Sequence, residues 1–183
     1  MSRLNPIDPP YPEEVASTFK RMMPPGMDPL ILFRTVAHNP RVLRRFSRGS
    51  LLDEGSIPLR TRETLILRTC ALCGSEYEWG VHVTFFGEAA GFNEDQISNT
   101  ASKGSRNNDF WEPNELDVLE LADEIHENTT VSDELWQRLS KIWNADQLME
   151  MIVLCGLYHM VSFVTRAFEI DLEEGVARFP LQV

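Results

Sequence analysis

The chain has 183 residues, 43% of them hydrophobic and 25% charged, which suits one globular domain with a sizeable core. Its formal net charge of −11 at pH 7 disfavours nucleic acid and anionic membrane surfaces as partners, because both attract basic patches. No apolar signal segment is visible near the N-terminus, and the three cysteines do not suggest a disulfide framework, so we expect a cytoplasmic location.

The first 26 residues predict a proline-rich arm followed by a short helix. Prolines stand at positions 6, 9, 10 and 12, and a first helix over 13–23 is ended by Pro24-Pro25-Gly26. We therefore separate residues 1–26 from a single helical domain over residues 27–183.

The rest of the chain predicts helices separated by short polar breaks. Apolar residues recur at helical spacing and no stretch alternates as a strand would, so the predicted fold class is all-α, with eight or nine helices. Asn93, Ser132 and Asn144 are suitable N-caps, and the polar stretch over 103–109 predicts a mobile loop. The predicted helices after the first span residues 29–37, 40–52, 59–72, 77–90, 93–101, 113–126, 132–142 and 144–168.

The most apolar segment, residues 151–165, predicts a buried helix rather than a membrane span. It is shorter than the roughly 20 residues that a spanning helix needs, and Tyr158, His159 and Ser162 interrupt it. Its apolar surface exceeds what one small helical domain comfortably buries. We therefore expect no membrane association and a homo-oligomer with this helix at the interface.

Two acids and one histidine form the strongest candidate for a catalytic site. Glu78 and His82 are four residues apart and would share one helix face, while Glu63 lies nineteen residues before His82 at the start of an apolar segment. Such a group can relay protons. The alternative from spacing alone is an ordinary surface ion pair between Glu78 and His82.

Two motifs around these residues resemble the carboxymuconolactone decarboxylase family, which belongs with the alkylhydroperoxidase D-like proteins. They are TRETLILR, ending at Arg68, and EYEWGVH, ending at His82, and further similarity runs from Pro29 through the segment 156–160. The resemblance implies an alkylhydroperoxidase D-like helical bundle that assembles into oligomers. It also implies a site near a subunit interface.

The chain departs from the peroxidase branch of the superfamily that it resembles. Members of that branch have a pair of redox cysteines four and seven residues before the histidine. Those places hold Glu78 and Ser75, and serine cannot cycle through a disulfide. The Glu78 form resembles the decarboxylase branch, where histidine and acid are expected to handle protons. Cys70 and Cys73 form a separate Cys-x-x-Cys, which is either a redox pair or two structural cysteines in an apolar helix.

The remaining candidates are polar or aromatic neighbours of the acid–histidine group. We expect Ser75, Trp79 and His159 to contribute to substrate binding. The alternatives are core packing for Trp79, and a supporting group behind the site or a satisfied core histidine for His159. Arg62 or Arg68 could hold an anionic substrate, and His126, beside Glu127, is predicted at the surface. Glu78, His82 and His159 could supply metal ligands, but no dense ligand cluster is evident in the sequence, so we expect no metal and no cofactor.

The predicted function is a cofactor-free lyase or related proton-transfer enzyme acting on a small carboxylated lactone or similar acid. Loss of carbon dioxide leaves an enol or dienol anion that must take up a proton, and histidine can hold that proton near neutral pH. Glu63, Glu78 and His82 would carry the reaction. One alternative is a thiol-dependent peroxidase or reductase that uses Cys70 and Cys73, and another is a non-catalytic oligomeric binding protein.

Overall fold

The computed structural model describes residues 2–102 and 108–180, and the regular structure in these ranges is entirely helical. The prediction of an all-α fold is confirmed. Of the loop predicted over 103–109, residues 103–107 lie outside the described ranges, and a short 3₁₀ turn spans Asn108–Phe110. The α-helices in the described ranges are α1 Glu13–Met22, α2 Ile31–Val36, α3 Pro40–Arg48, α4 Leu59–Leu72, α5 Glu76–Phe86, α6 Glu94–Ala101, α7 Pro113–Asn128, α8 Asp133–Leu139 and α9 Ala145–Ala167.

The helix starts follow the predicted caps, whereas three predicted helix ends are too late. The side chains of Asn93, Ser132 and Asn144 each accept a backbone N–H from the first turn of their helix. The helices predicted to reach residues 52, 90 and 142 instead end at Arg48, Phe86 and Leu139. In each case the apolar spacing continues into the following turns, so hydrophobic periodicity alone overestimates the helix length.

Helix α4 is the centre of the fold and packs against α5, α6, α7 and α9. All residues from Glu63 to Cys70 are buried, so this helix has no solvent-facing side over two turns. A tight turn then joins α4 to α5, with the Ser75 N–H donating to the Cys70 carbonyl and Gly74 at a positive φ of 66°. The turn folds α5 back along α4, which brings His82 beside Glu63.

Two apolar clusters surround α4 and α5. The larger cluster lies among α4, α7, α8 and α9, and the smaller one joins α1, α2 and α3 to α5. Val15 and Phe19 of α1 are buried in the smaller cluster together with Leu32 and Leu43. The N-terminal helices therefore form a wall beside the helix that carries the candidate site.

The segment that follows α9 crosses the outer side of α5. The Ala177 N–H donates to the Thr84 hydroxyl at 2.9 Å, and the Phe179 N–H donates to a Glu76 carboxylate oxygen at 3.1 Å. The Ala177 carbonyl lies so close to Gly80 that a side-chain carbon at residue 80 would collide with it. Gly80 thus permits this crossing, which holds the outside of α5 in place.

Helix α9 has 23 residues and, by length and composition alone, could cross a membrane. The most apolar segment, residues 151–165, is part of this longer helix, which begins at Ala145 directly after its predicted cap Asn144. One face of α9 is buried against α4, as expected for a core helix. The opposite face carries four exposed apolar side chains, Met149, Val153, Met160 and Phe163.

We expect this exposed stripe on α9 to pack against a second copy of the chain, since contiguous apolar patches usually mark an interface. Phe163 is 65% exposed, and Phe163→Asp should shift the assembly toward monomer in light scattering. Phe85→Asp, at an exposed phenylalanine outside the stripe, is the matched control. A 21.0 kDa monomer of the unchanged chain at micromolar concentration would contradict the expectation.

Candidate active site

Glu63 and His82 form a buried pair at the contact between α4 and α5. The His82 Nδ1 atom lies 2.7 Å from Glu63 Oε2, and the two residues are 2% and 1% exposed. A carboxylate can only accept at this distance, so Nδ1 carries the proton and the ring is held in one orientation. The expected contact between Glu63 and His82 is therefore present.

The other ring nitrogen of His82 meets two groups. Its Nε2 atom lies 3.0 Å from the Tyr158 hydroxyl on α9 and 3.4 Å from Glu78 Oε1 on the same helix. Tyr158 is a member of this group that the helical spacing did not predict, although it lies in the segment 156–160 that carries part of the family resemblance. The four side chains form one connected chain of acids, imidazole and phenol.

The surroundings of His82 favour its protonated form. Burial lowers the pKa of the imidazole, but the hydrogen bonds to Glu63 and Glu78 and their negative charges outweigh it and raise the pKa to about 9. Burial and the nearby Glu78 charge raise the pKa of the Tyr158 phenol well above its ordinary value. Near neutral pH the imidazole is therefore a cation and the phenol keeps its proton.

Arg62 contacts the Glu63–His82 pair on the side of the second Glu63 oxygen. Its Nε donates to the second oxygen of Glu63 at 2.9 Å, and its guanidinium also donates to the Leu52 carbonyl at 3.0 Å. The same guanidinium lies over the Phe86 ring, which in turn stacks on His82. Arg62 thus balances the charge of Glu63, and it does not line the cavity described next.

A cavity of about 490 Å³ lies on the Glu78 and Tyr158 side of this chain. Both residues line it, whereas Glu63 and His82 lie behind them and do not. Glu78 Oε2 is buried and has no hydrogen-bond partner within the described part of the chain. The rest of the lining includes apolar side chains of α1, α2, α3 and α9, two serines, and three arginines, Arg21, Arg45 and Arg48.

The three residues expected to contact substrate are not among the described residues that line this cavity. Ser75 is buried and shares a 2.7 Å hydrogen bond with Thr165, and the Trp79 indole donates to Thr100 at 2.9 Å. His159 lies instead on another face of α9. Spacing places a residue on a helix but does not determine which neighbour covers it.

The two arginines suggested as anion ligands also point elsewhere. Arg68 is buried and donates to Asp123 at 2.6 Å, while Arg62 pairs with Glu63. The arginines that do line the cavity come from α1 and α3. Those helices are remote in sequence from the acid–histidine motif, so no local pattern indicates them.

Cys70 and Cys73 have different surroundings. Cys70 is fully buried, and burial raises the pKa of its thiol well above the ordinary value. Cys73 is partly exposed at the end of α4, and burial raises its thiol pKa as well. Raised pKa values leave little thiolate near neutral pH, which disfavours an easily oxidised pair.

We expect negligible turnover of peroxide with a dithiol reductant. The double variant Cys70→Ala/Cys73→Ala should keep the native activity within about twofold, because neither thiol lines the cavity beside Glu78. Thiol titration before and after peroxide treatment provides an independent readout. A folded but inactive double variant would favour the redox alternative.

The fold is shared with solved structures of low sequence identity. An uncharacterised peroxidase-related protein from Silicibacter sp. TM1040 matches with a TM-score of 0.78 and 16% identity, over 94% of this chain and 92% of that one. The debrominase Bmp8, as a variant in complex with 2,3,4-tribromopyrrole, matches with a TM-score of 0.73 and 13% identity, over 93% and 91% of the two chains. These likenesses show a common alkylhydroperoxidase D-like fold.

A comparison with curated proteins finds no match to the chain. The model of the carboxymuconolactone decarboxylase family matches residues 39–124, a region that contains Glu63, Glu78 and His82 and ends before Tyr158. The sequence resemblance and this match agree on the same helices. The chain therefore carries a domain of the carboxymuconolactone decarboxylase family.

Proposed function

We propose that the protein is a proton-transfer enzyme that decarboxylates a small carboxylated lactone or related acid without a cofactor. One observation carries the proposal: the buried chain from Glu63 through His82 ends at Glu78 and Tyr158 in a cavity bordered by arginines. A cavity of about 490 Å³ suits a small molecule. The arginine side chains can pair with the carboxylate of such a substrate.

The proposed reaction breaks the bond between the substrate carbon and its carboxylate. Carbon dioxide leaves, and the bonding electron pair stays on the substrate as an enolate or dienolate. Tyr158, which lines the cavity, donates its hydroxyl proton to that carbanion, and the His82 Nε2–H replaces the lost proton at 3.0 Å. Glu78 lines the cavity and its Oε1 lies 3.4 Å from His82 Nε2, so it can pass a proton from the cavity back to the imidazole.

Glu63 favours the charged imidazole before the proposed proton transfer and favours its reprotonation afterwards. Its carboxylate accepts from Nδ1–H and stabilises the imidazolium, just as a buried acid orients a catalytic histidine in other proton-transfer sites. His82 therefore acts on the substrate through Tyr158 and Glu78. This arrangement explains why a buried histidine without access to the cavity can still serve the reaction.

The test is carbon dioxide release from a panel of small lactones with and without a carboxylate group. Release from the carboxylated members alone supports the proposal. Saturable binding of these acids without turnover would instead identify a binding protein, and turnover of peroxide with a thiol reductant would identify the peroxidase alternative. Either result would overturn the decarboxylase proposal.

We expect the arginines at the cavity to govern substrate affinity. The double variant Arg45→Gln/Arg48→Gln should raise KM by about tenfold and leave kcat nearly unchanged, since a charge-assisted hydrogen bond at a solvent-exposed site contributes on the order of 1.5 kcal/mol. Arg41→Gln is the matched control, because Arg41 lies on the same helix but does not line the cavity. Equal KM values in the two variants would contradict an anion-binding role.

A further inference from the structure

A second cavity, of about 850 Å³, lies against another face of α9 and contains a group of side chains that the proposed reaction does not use. Cys73 from the end of α4, His126 from the end of α7 and His159 from α9 all line it. Their ligand atoms lie within 4.8 Å of one another. His126, which the sequence predicts at the surface, is half-buried and contacts both of the other residues.

The separations between the ligand atoms of this group are close to those expected around a bound metal ion. His126 Nδ1 is 3.0 Å from His159 Nε2 and 3.9 Å from the Cys73 sulfur. Around a tetrahedral zinc ion, with bonds of roughly 2.1 Å to nitrogen and 2.3 Å to sulfur, such separations would be roughly 3.4 and 3.6 Å. Small side-chain rotations would convert one set of distances to the other.

The orientation of His159 is already fixed for binding. Its Nδ1 lies 2.8 Å from the Cys155 carbonyl, which can only accept, so Nδ1 carries a proton and the lone pair of Nε2 is left to face the other two residues. Histidine ligands of metals usually have this kind of hydrogen bond on the nitrogen remote from the metal. Without metal, His126 Nδ1–H donates to that lone pair.

We propose that Cys73, His126 and His159 bind a zinc-class divalent cation, with the fourth coordination position open to the second cavity. One thiolate and two imidazoles form a donor set that zinc readily accepts, and three protein ligands leave room for a water molecule or an anion. The expectation that the chain holds no metal site rested on Glu78, His82 and His159. The group found here takes its ligands from three helices more than thirty residues apart along the chain.

Charged neighbours of the site act in both directions. Asp123 and Glu127 on α7 interact electrostatically with His126 and favour a cation, whereas Arg68, which pairs with Asp123, opposes one. Arg166 lines the same cavity and donates to the Cys73 carbonyl at 2.8 Å, which favours the thiolate form of Cys73 but opposes the cation. The bond to the thiolate must outweigh the Arg166 charge, so loss of Cys73 should have the largest effect on affinity.

The test uses the full chain after treatment with a chelator, titrated with Co²⁺ as a spectroscopic probe. We expect one Co²⁺ per chain, a thiolate-to-cobalt charge-transfer band, and loss of that band when Zn²⁺ displaces the cobalt. Cys73→Ser should abolish the band, and His126→Gln and His159→Gln should each weaken binding by at least about tenfold, the lower limit for loss of even an outer partner of a ligand.

Two variants outside the group serve as controls, with folding of every variant checked by circular dichroism. Cys70→Ala removes a neighbouring cysteine, and His38→Gln removes an exposed histidine near the N-terminal arm, so both should bind like the unchanged chain. The proposal is overturned by absence of stoichiometric binding, by binding without the thiolate band, or by unchanged affinity in both histidine variants. Carbon dioxide release in the first cavity is measured separately and does not enter this test.

Discussion

His82→Gln should lower kcat for the proposed decarboxylation by about a hundredfold or more, which is the usual scale for loss of a general acid–base group. Glutamine can still hydrogen-bond to Glu63 but cannot hold and release a proton. Because His82 does not line the cavity, KM should change little. The measurement is steady-state kinetics with a carboxylated lactone that the unchanged chain accepts.

Two further variants, at Tyr158 and at His38, test whether the effect is specific to this site. Tyr158→Phe removes the 3.0 Å contact with His82 and the proposed proton donor, so it should lower kcat to a similar extent. His38→Gln, at an exposed histidine, should leave kcat unchanged. Full activity in Tyr158→Phe would show that the proton reaches the substrate by another route.

The pH profile provides an independent readout of the same step. The pKa of His82 is raised to about 9, so the imidazolium is the major form at neutral pH. If this cation restores the proton of Tyr158, kcat should fall as pH rises through about 9. In the His82→Gln variant, the residual kcat should not show this decrease near pH 9.

Glu63→Gln should lower the free energy of unfolding by about 3 kcal/mol near neutral pH, since removal of one partner from a buried ion pair leaves the other charge uncompensated. The hydrogen bond and the charge of Glu63 then no longer raise the pKa of His82, which should fall from about 9 while Glu78 still opposes the effect of burial. Urea denaturation measures the first effect, and NMR titration of the imidazole measures the second.

The destabilisation by Glu63→Gln should depend on pH in a defined direction. The pKa of His82 is higher in the folded chain, about 9, than its ordinary value of 6.5, so protonation favours folding by about 3 kcal/mol below pH 6.5. That contribution declines as pH rises from 6.5 and is lost above about 9. The stabilities of the variant and the unchanged chain should therefore converge in alkaline solution.

A surface ion pair is the matched control for Glu63. Asp117 accepts from Arg138 at 2.8 Å, but the arginine side chain is 41% exposed, so Asp117→Asn should change stability by less than about 1 kcal/mol. An equal loss of stability in Asp117→Asn and Glu63→Gln would mean that burial of the His82 pair has no special effect.

Local patterns were sufficient for the presence and order of the helices and for the inner part of the site. The spacing of Glu78 and His82 and the break at Gly74 predict an acid–histidine pair approached by Glu63, because helical periodicity and a tight turn together determine that contact. The outer part of the site could not be predicted in this way. Tyr158 and Arg45 reach the cavity only through packing of α9 and α3, which depends on contacts between remote segments.

Dependence on contacts between remote segments also explains why the sequence did not indicate the candidate metal ligands as a group. It explains equally why the residues expected to contact substrate do not line the first cavity. Tyr158 and His159 are consecutive, and consecutive residues on a helix point about 100° apart, so they meet different neighbours. One contacts His82 and the other contacts His126. A sequence pattern can place both residues on α9, but only the positions of the surrounding helices determine which cavity each one faces.

The crossing of the C-terminal segment over Gly80 limits how this chain can vary. Any side chain at residue 80 would push the Ala177 carbonyl away and break the neighbouring hydrogen bond to Thr84. The path of the C-terminal segment across α5 at residue 177 therefore requires glycine at residue 80. Among descendants of this sequence, loss of that glycine should be accompanied by loss of the crossing. A relative with a larger residue at this position should carry its tail on a different path, with the Trp79 ring losing its contact with Phe179.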